Sequence, residues 1–403
     1  MFGAVNRQAV IGCLVLLVIV STVTSAGAGD LRQAIETAEV IRTFPVKGAP
    51  VRRAMCGRDI LIVELQNSDS DFVVGYSLSG EQRYKVSFPN SNRSFLSVAD
   101  ISTDGSSVVL AYAHQGEGGA FRTVVVDELG TELCTLNSFY YGGRLSPTGR
   151  YVTPFPSELN VPPSVVVDCH ADGRTIPLPN SINQITGFLD ENTAIQADQA
   201  HARLIDLPSG KIRDSISLPL WTPIGSGSPS MSPPSSDGNI AIHRGHQVLI
   251  VSKSLRVLHH RILDGYIGKM FPSNPPGWFV ATVQRLDGVR CVLALSATDP
   301  SSTVRSDSSS VIWRVAGCLG CPITESLDYG VIAILPHTLW GEWRPDYAPF
   351  ETIFAEFDPD SLTISKPFAV HGIYLKARGE TVPPDTYLRV YPPDTVQLVR
   401  LNR

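Results

Sequence analysis

Short runs of aliphatic and β-branched residues, separated by Gly, Asp, Ser and Pro, recur along almost the whole chain. Residues 144–155 (RLSPTGRYVTPF) show the pattern: a strand-length segment, a Gly turn and a second apolar segment. Residues 123–127 (TVVVD) are followed by Gly130 and a further run, which is the pattern of a β-hairpin. An amphipathic helix is indicated only over residues 30–38, so the sequence predicts an all-β protein.

A turn followed by a short apolar strand recurs at a regular interval. It occurs at Gly57, Gly105, Gly149, Asn192, Gly238, Gly277 and Gly330. Successive positions are 48, 44, 43, 46, 39 and 53 residues apart. Gly and Asn suit such turns because they tolerate a positive φ. With the strand before each turn and two more after it, a unit has four strands, and four strands per roughly 40–50 residues is the period of a β-propeller blade.

Three of these turns carry a further similarity. Residues 103–105 (TDG), 146–149 (SPTG) and 236–238 (SDG) resemble the Ser-Pro-Asp-Gly turn of the secreted WD-like and TolB-like β-propeller families. The resemblance covers about residues 40 to 400 and implies the propeller fold. It does not imply a particular function, and the Gly-His and Trp-Asp pairs of true WD repeats are missing.

The two ends of the chain bear on the number of blades. Three strand-like segments follow the seventh unit, at residues 372–376, 386–391 and 396–401, and residues 39–46 supply one more near the N-terminus. A ring leaves protected edges only when it is closed. We therefore predict eight four-stranded blades, the last closed by the N-terminal strand; the alternative is seven blades with the C-terminal strands outside the ring.

Residues 1–28 have the pattern of a secretory signal peptide. Arg7 precedes the apolar stretch 9–23, and the small residues 24–28 (TSAGA) offer a cleavage site. The apolar stretch is short for a transmembrane helix, so we expect membrane attachment only if the signal stays uncleaved. Residues 29–403 are then a single propeller domain in a secreted or periplasmic protein.

Charge and cysteine content narrow the function classes. The chain of 403 residues has a formal net charge of -5 and no run of Lys or Arg, so no nucleic-acid partner is expected. The cysteines beyond the signal, which permit disulfides, are Cys56, Cys134, Cys169, Cys291, Cys318 and Cys321. The motif 318–321 (CLGC) has no second pair and no nearby His, so a disulfide is favoured over a zinc or redox site. No metal and no cofactor is predicted.

With the strands of a blade labelled A to D from the axis outward, the B–C and D–A loops share one face, and this face contains the candidate binding residues. They are Trp340, Trp343, Arg344, Asp346, His114, Tyr140, Tyr141, Trp221, His243, His246, Arg285 and Asp287. The loop 336–349 combines two Trp with Arg and Asp, and aromatic residues beside Arg are typical of recognition surfaces. The alternative is that Trp340 and Trp343 plug the channel or pack the loop down.

Two patterns among these residues could indicate a metal. His243 and His246 flank Arg244-Gly245, which we predict to be a two-residue turn that sets the imidazoles opposite each other. Two ligands do not make a site, so no metal is assigned. On the other face, carboxylates recur at the ends of C strands, at Asp127, Asp168, Asp206 and Asp358. We expect them to accept hydrogen bonds from their own turns rather than to bind a metal.

The sequence lacks the nucleophile elbow, the zinc-protease motif, the Walker A loop and the dinucleotide-binding glycines. It therefore predicts a binding or interaction module for an unknown protein, small-molecule or carbohydrate ligand. The alternative is a hydrolase or lyase at the channel mouth. That reading requires convergence of side chains from the set His114, His243, His246, Asp287 and Glu342.

Overall fold

The computed structural model describes most of the chain, and every structural statement below concerns that part. The described residues are 26–46, 49–89, 94–114, 121–136, 140–156, 165–179, 182, 185–219, 229–273, 276–285, 287–299, 301–306, 323–326, 331–334, 351–377, 382–383, 385–391 and 394–402.

The first elements are a helix and a strand, α1 (Ala26–Glu36) and β1 (Glu39–Phe44). The following strands form antiparallel sheets in chain order, each of which is one blade; the sheets have four strands, except that of blade 7, which has five. Blades 1 and 2 comprise β2 (Val51–Gly57), β3 (Ile60–Gln66), β4 (Ser70–Ser77), β5 (Gln82–Pro89), β6 (Ser94–Ile101), β7 (Ser107–His114), β8 (Phe121–Asp127) and β9 (Glu132–Leu136). Blades 3 and 4 comprise β10 (Tyr140–Leu145), β11 (Tyr151–Pro156), β12 (Val165–Asp168), β13 (Arg174–Pro177), β14 (Gly187–Asp190), β15 (Thr193–Ala197), β16 (His201–Asp206) and β17 (Lys211–Ser217).

The second half of the chain continues the series. Blades 5 and 6 comprise β18 (Ser230–Met231), β19 (Ile240–Arg244), β20 (Gln247–Val251), β21 (Val257–Ile262), β22 (Gly265–Pro272), β23 (Trp278–Arg285), β24 (Arg290–Ser296) and β25 (Thr303–Arg305). Blade 7 comprises β26 (Ile323–Ser326), β27 (Val331–Ile334), β28 (Glu351–Asp358), β29 (Thr363–Ile364) and β30 (Phe368–His371), the last two pairing in turn with β28. Blade 8 contains β31 (Ile373–Lys376), β32 (Thr386–Tyr391) and β33 (Thr395–Arg400).

The N-terminal strand closes the ring. β1 pairs antiparallel with β33, so the sheet of blade 8 has the order β1-β33-β32-β31. One buried cluster then joins blade 8 to blade 1 through Phe44, Val396 and Leu398 on one side and Val63 and Val74 on the other. The predicted eight-bladed propeller with a composite last blade is confirmed, and the seven-bladed alternative is wrong.

The core lies between blades rather than within any one of them. Among the described residues, each of the eight buried clusters joins two consecutive blades. Successive residues of a strand face opposite neighbours: Tyr151 packs toward blade 4, whereas Val152 packs toward blade 2. Both sides of a central strand are therefore buried, which is why these strands are continuous apolar runs. The edge strands are more polar, as in β17, where no residue is buried.

The repeated turns have the conformation that the sequence indicates. Gly105, Gly149 and Gly238 have φ values of 76°, 75° and 78°. In the first unit, however, the positive φ belongs to Asp59, at 59°, rather than to Gly57. Asn192 is also outside the set of residues with positive φ, so the expectation that each repeat would use its Gly or Asn in this way is only partly correct.

Helix α1 fits against blades 7 and 8. Leu31, Ala34 and Ile35 are buried in one cluster with Phe354 and Tyr387. Their spacing of three and four residues places these side chains on one face of the helix. The predicted helix over 30–38 is found at Ala26–Glu36, a few residues earlier. Among the described residues, no helix has the length and apolar character needed to cross a membrane.

One disulfide joins neighbouring blades. Cys134 of β9 and Cys169, the residue after β12, are bonded with a Cα–Cα distance of 5.2 Å. Both are buried in the cluster between blades 2 and 3. The sequence allowed a disulfide but gave no pairing; Cys318 and Cys321 lie outside the described residues.

Candidate functional site

Several predicted site residues either lie outside the described residues or have side chains that are not described. Outside the described residues are Trp221, Trp340, Trp343, Arg344 and Asp346. His114 ends β7, and Tyr140 and Tyr141 begin β10, so these three stand at strand ends rather than inside loops; their side chains are not among those described. Their roles in binding remain predictions.

The His243–His246 pair does not form as the sequence predicted. In the β19–β20 hairpin Arg244 lies opposite Gln247 and His243 lies opposite Val248. The two-residue turn is therefore Gly245-His246, and the predicted Arg244-Gly245 turn is wrong by one residue. This shift moves His246 into the turn and leaves His243 inside the strand. The two imidazoles no longer face each other across the ladder, so the geometry that could have suited one metal ion is lost.

The two histidines consequently have different surroundings. His243 is only 5% exposed, and burial lowers the pKa of its imidazole to about 4. The ring of His246 meets the ring of Tyr266 edge-on, with centroids 6.5 Å apart. Each imidazole therefore contacts its own environment, and this pair gives no support to the hydrolase or lyase alternative. Within the described residues there is also no group of three or more His, Cys, Asp and Glu suited to a metal.

Arg285 and Asp287 belong to a charged cluster at the junction of blades 5 and 6. Arg285 Nη2 lies 3.1 Å from Asp287 Oδ2, and its Nε lies 3.7 Å from Asp264 Oδ2. Asp264 also accepts a hydrogen bond of 2.6 Å from Arg305 Nη1. The hydrogen bond from Arg305 and the positive charges of Arg305 and Arg285 lower the pKa of Asp264. The same hydrogen bond and the negative charge of Asp264 raise the pKa of Arg305. The ion pair of Asp264 and Arg305 is thus held in its charged form. We call these four residues the blade 5–6 charge cluster.

Three short connections bring these residues together. Asp287 accepts a hydrogen bond of 3.0 Å from Val289 N, which with Gly288 at a φ of 83° makes the tight β23–β24 turn. The link between blades 5 and 6 is held by Leu263 N, which donates to His246 O at 2.7 Å. Asp264 follows immediately in this link. The B–C turns of blades 5 and 6 and their D–A link therefore meet at one point of the predicted face.

A pocket opens beside this cluster between β21 and β25. Its volume is about 510 Å³, and it is lined by Arg261, Ile262, Leu263, Thr303 and Arg305. Burial lowers the pKa of Arg261. The Nη1 of the same side chain donates a hydrogen bond to Thr303 Oγ1 at 2.5 Å. We call this cavity the blade 5–6 arginine pocket.

The sequence pattern predicts Arg285 and Asp287 as site residues but not Arg261, Asp264 and Arg305. The predicted residues belong to loops, whereas Arg261 and Arg305 lie on the D strands of successive blades. A signal was present: the two arginines are one blade period apart.

A second polar and aromatic cluster lies at the junction of blades 7 and 8. The rings of His371 and Tyr391 are stacked, with centroids 5.4 Å apart and an interplanar angle of 18°. The guanidinium of Arg389 lies 4.9 Å from the centroid of the same Tyr391 ring. His371 is the last residue of β30 and Tyr391 is the last residue of β32. Both strands end at the B–C and D–A face, so this cluster lies on the same face as the blade 5–6 charge cluster.

The recurring carboxylates of the opposite face behave as predicted. Asp127 Oδ1 accepts from Leu129 N at 2.9 Å and from Thr131 N at 2.7 Å. Asp358 Oδ1 accepts from Asp360 N at 2.9 Å in the corresponding turn of blade 7. Asp168 and Asp206 also accept from backbone N–H groups of their own turns. These carboxylates stabilise turns.

Comparison with solved structures finds similarity at low sequence identity. The solved structure of Kluyveromyces lactis Hsv2 has a TM-score of 0.49 and 8% identity, covering 80% of this chain and 98% of that chain. The WD40 domain of Toxoplasma gondii coronin has a TM-score of 0.44 and 10% identity, covering 91% and 86%. A chain of the mitotic checkpoint complex has a TM-score of 0.45 and 10% identity, covering 90% and 92%.

At these identities and TM-scores the likeness carries no argument about this chain. The strand pairing described above shows by itself that the protein is an eight-bladed β-propeller. No protein-family model matches the chain, and no curated protein matches it in sequence.

Proposed function

We propose that this chain is an exported β-propeller binding module that takes a protein partner on the face of the B–C and D–A loops. The observation that carries the proposal is the concentration of exposed or half-buried Arg, Asp, His and Tyr side chains at the two blade junctions of that face. Arg and aromatic residues are enriched where proteins bind each other. Because short turns and strand ends hold these side chains, the surface is preorganised for a partner.

The binding face is tested with peptides selected on the purified protein from a random display library. Dissociation constants are then measured by fluorescence anisotropy for the native protein and for Arg285→Ala and His371→Ala. We expect at least one of these changes to weaken the selected peptides about tenfold, which corresponds to about 1.4 kcal/mol. The matched control is Arg83→Ala, because Arg83 forms an ion pair of 3.0 Å with Glu128 near the opposite face. Peptides that respond only to the Arg83 change would contradict the proposal.

Export is the second part of the proposal. Two features support it: the signal-like pattern of residues 1–28 and the Cys134–Cys169 disulfide, a bond that oxidising compartments favour. Expression of the full chain followed by cell fractionation and intact-mass analysis is the test. We expect an extracytoplasmic product that has lost approximately its first 28 residues. A full-length cytosolic product with reduced thiols would overturn the proposal of export. It would not bear on the proposal that the B–C and D–A face binds a partner.

A further inference from the structure

The blade 5–6 arginine pocket has a cationic lining. Thr303 and Arg305 are two residues apart on β25, so they point to the same side of the strand, while Val304 between them is buried. Arg261 enters the same cavity from β21. The described residues that line the cavity thus include two guanidinium groups and no carboxylate. Such a lining favours a negatively charged occupant.

Both guanidinium groups are held in place by neighbours and keep further donors. Arg305 is fixed through Nη1 by Asp264 at 2.6 Å. Arg261 is fixed through Nη1 by Thr303 Oγ1 at 2.5 Å and Ser302 O at 3.4 Å. A guanidinium has five N–H donors in a planar fork, and in the described part of the chain the Nε and Nη2 of these two side chains have no protein partner. A carboxylate or phosphate can accept two such bonds at once.

The charge of Arg261 is the less compensated of the two. Asp264 is within ion-pair distance of Arg305. No carboxylate of the described residues lies within 4.0 Å of Arg261, on which the charge of Asp299 acts from farther away. Burial lowers the pKa of Arg261, so its cation is solvated less well than that of a free side chain. An anion bound in the pocket would replace the hydration that the buried guanidinium of Arg261 has lost.

An apolar wall stands beside these donors. Ile262 is 67% exposed, although its neighbours in the chain are a half-buried Arg and a half-buried Leu. Ile262 and Leu263 line the same cavity as Arg261. A bound molecule can therefore bury an aliphatic group against this wall while its anion meets the guanidinium groups. The combination selects for an anion attached to an apolar chain over a bare inorganic ion.

We propose that the blade 5–6 arginine pocket binds an oxyanion, a carboxylate or phosphate, that stands next to an aliphatic group, and that this is the anchor of the partner. The inference rests on the proposed function, because it names the chemistry that the binding face recognises. In a protein partner this chemistry is an acidic or phosphorylated side chain beside an aliphatic residue.

Saturation-transfer NMR with small probes tests the pocket directly. The probes are hexanoate, hexyl phosphate and the neutral hexan-1-ol, each titrated against the purified full chain. We expect at least one of the two anions to bind, and to bind at least about tenfold more tightly than the alcohol, since a hydrogen bond to a charged group exceeds a neutral one by about that factor. Preference between hexanoate and hexyl phosphate identifies the source of the oxyanion. Equal binding of all three probes, or of none, overturns the proposal.

Substitutions place the binding in the pocket. Arg261→Gln and Arg305→Gln are each expected to weaken the anion about tenfold, and Arg261→Lys by a smaller factor because Lys keeps the charge but loses the fork. The control Arg83→Gln removes an Arg from the opposite rim and should bind as the native protein does. Thermal melting confirms that the variants fold, and the Lys variant remains informative if a Gln variant does not. Anion binding that all Arg261 and Arg305 variants retain overturns the proposal.

The outcome is separable from that of the proposed function. If selected peptides depend on His371 or Arg285 while the hexyl anions ignore Arg261 and Arg305, the face binds a partner but this pocket is not its anchor, and the inference is wrong. If the anions require Arg261 and Arg305 while no peptide depends on the face, the pocket is confirmed as an oxyanion site and the protein-partner function is wrong.

Discussion

The surroundings of single side chains decide which candidate residues can titrate or bind. His243 and His246 are three positions apart, yet one is buried inside blade 5 and the other lies in the turn against Tyr266. A buried imidazole is held neutral because its charged form loses hydration. His243 is consequently a buried residue whose contribution to stability depends on pH, whereas the proposed ligand contacts are made by Arg261 and Arg305.

The buried imidazole of His243 predicts acid sensitivity. Its pKa is about 4 in the folded chain and about 6.5 in the unfolded chain. Since the folded pKa is the lower one, the unfolded state binds the proton first, and folded-state stability is lost as the pH falls from about 6.5 toward 4. Between pH 7 and pH 4.5 the contribution of this group to the free energy of unfolding should fall by about 2 kcal/mol.

Urea unfolding of the native protein and of His243→Gln at both pH values measures this contribution. The difference between the two proteins should change by about 2 kcal/mol between the pH values, because Gln does not titrate. His170→Gln, which replaces an exposed His, is the control for the removal of an imidazole as such. A difference that is independent of pH would show that His243 is not held neutral by burial.

Two glycines of the repeated turns, Gly149 and Gly277, form a matched pair for substitution. Gly149 and Gly277 have φ values of 75° and 87°, but a Cβ on Gly149 would lie 2.3 Å from Ser107 Cβ, whereas nothing lies within 4 Å of one on Gly277. Gly277→Ala should cost about 1 kcal/mol from backbone strain. Gly149→Ala adds overpacking and should cost about 2–4 kcal/mol. Chemical denaturation of both variants checks the ranking, and equal losses would contradict it.

At the level of elements, the sequence predicts the strands well and the charged clusters poorly. Runs such as Val108–Leu110 are apolar because both sides of the strand face a neighbouring blade, so burial itself creates the visible pattern. The register of the β19–β20 hairpin was predicted one residue off, since several two-residue turns fit that sequence equally well. Arg261 and Arg305 come together in one pocket at the junction of two blades, a relation that strand patterns in one chain segment do not contain.

The N-terminal strand illustrates how an element at one end of the sequence stabilises the other. Phe44 of β1 is 2% exposed and packs in the cluster between blades 8 and 1, whereas Val40 of the same strand is 44% exposed. Phe44→Ala should lower the free energy of unfolding by about 3–5 kcal/mol. Val40→Ala should change it by no more than about 0.5 kcal/mol. Denaturant unfolding distinguishes the two, and a small effect of Phe44→Ala would mean that β1 contributes little to ring closure.

For the whole molecule, stability depends on a closed series of interfaces. Each described buried cluster joins two blades, so a blade that loses one neighbour exposes half of its core. Within the described residues one of these interfaces has a covalent link, between Cys134 and Cys169 in blades 2 and 3. The same bond connects the fold to the proposed destination of the protein, since it persists only where thiols are oxidised.

Reduction of this bond should therefore destabilise the whole ring. The bridged cysteines are 35 residues apart in sequence. A disulfide that closes a loop of that size lowers the entropy of the unfolded chain and raises the free energy of unfolding by about 2–4 kcal/mol. Urea unfolding with and without dithiothreitol should show a loss of that order in the native protein. The double variant Cys134→Ala/Cys169→Ala should be less stable from the start and indifferent to the reductant. The contrary outcome is a native protein whose stability does not change although mass analysis confirms that the bond has been reduced. The blade 2–3 interface would then not need its covalent link, and stability would give no reason for the protein to be exported to an oxidising compartment.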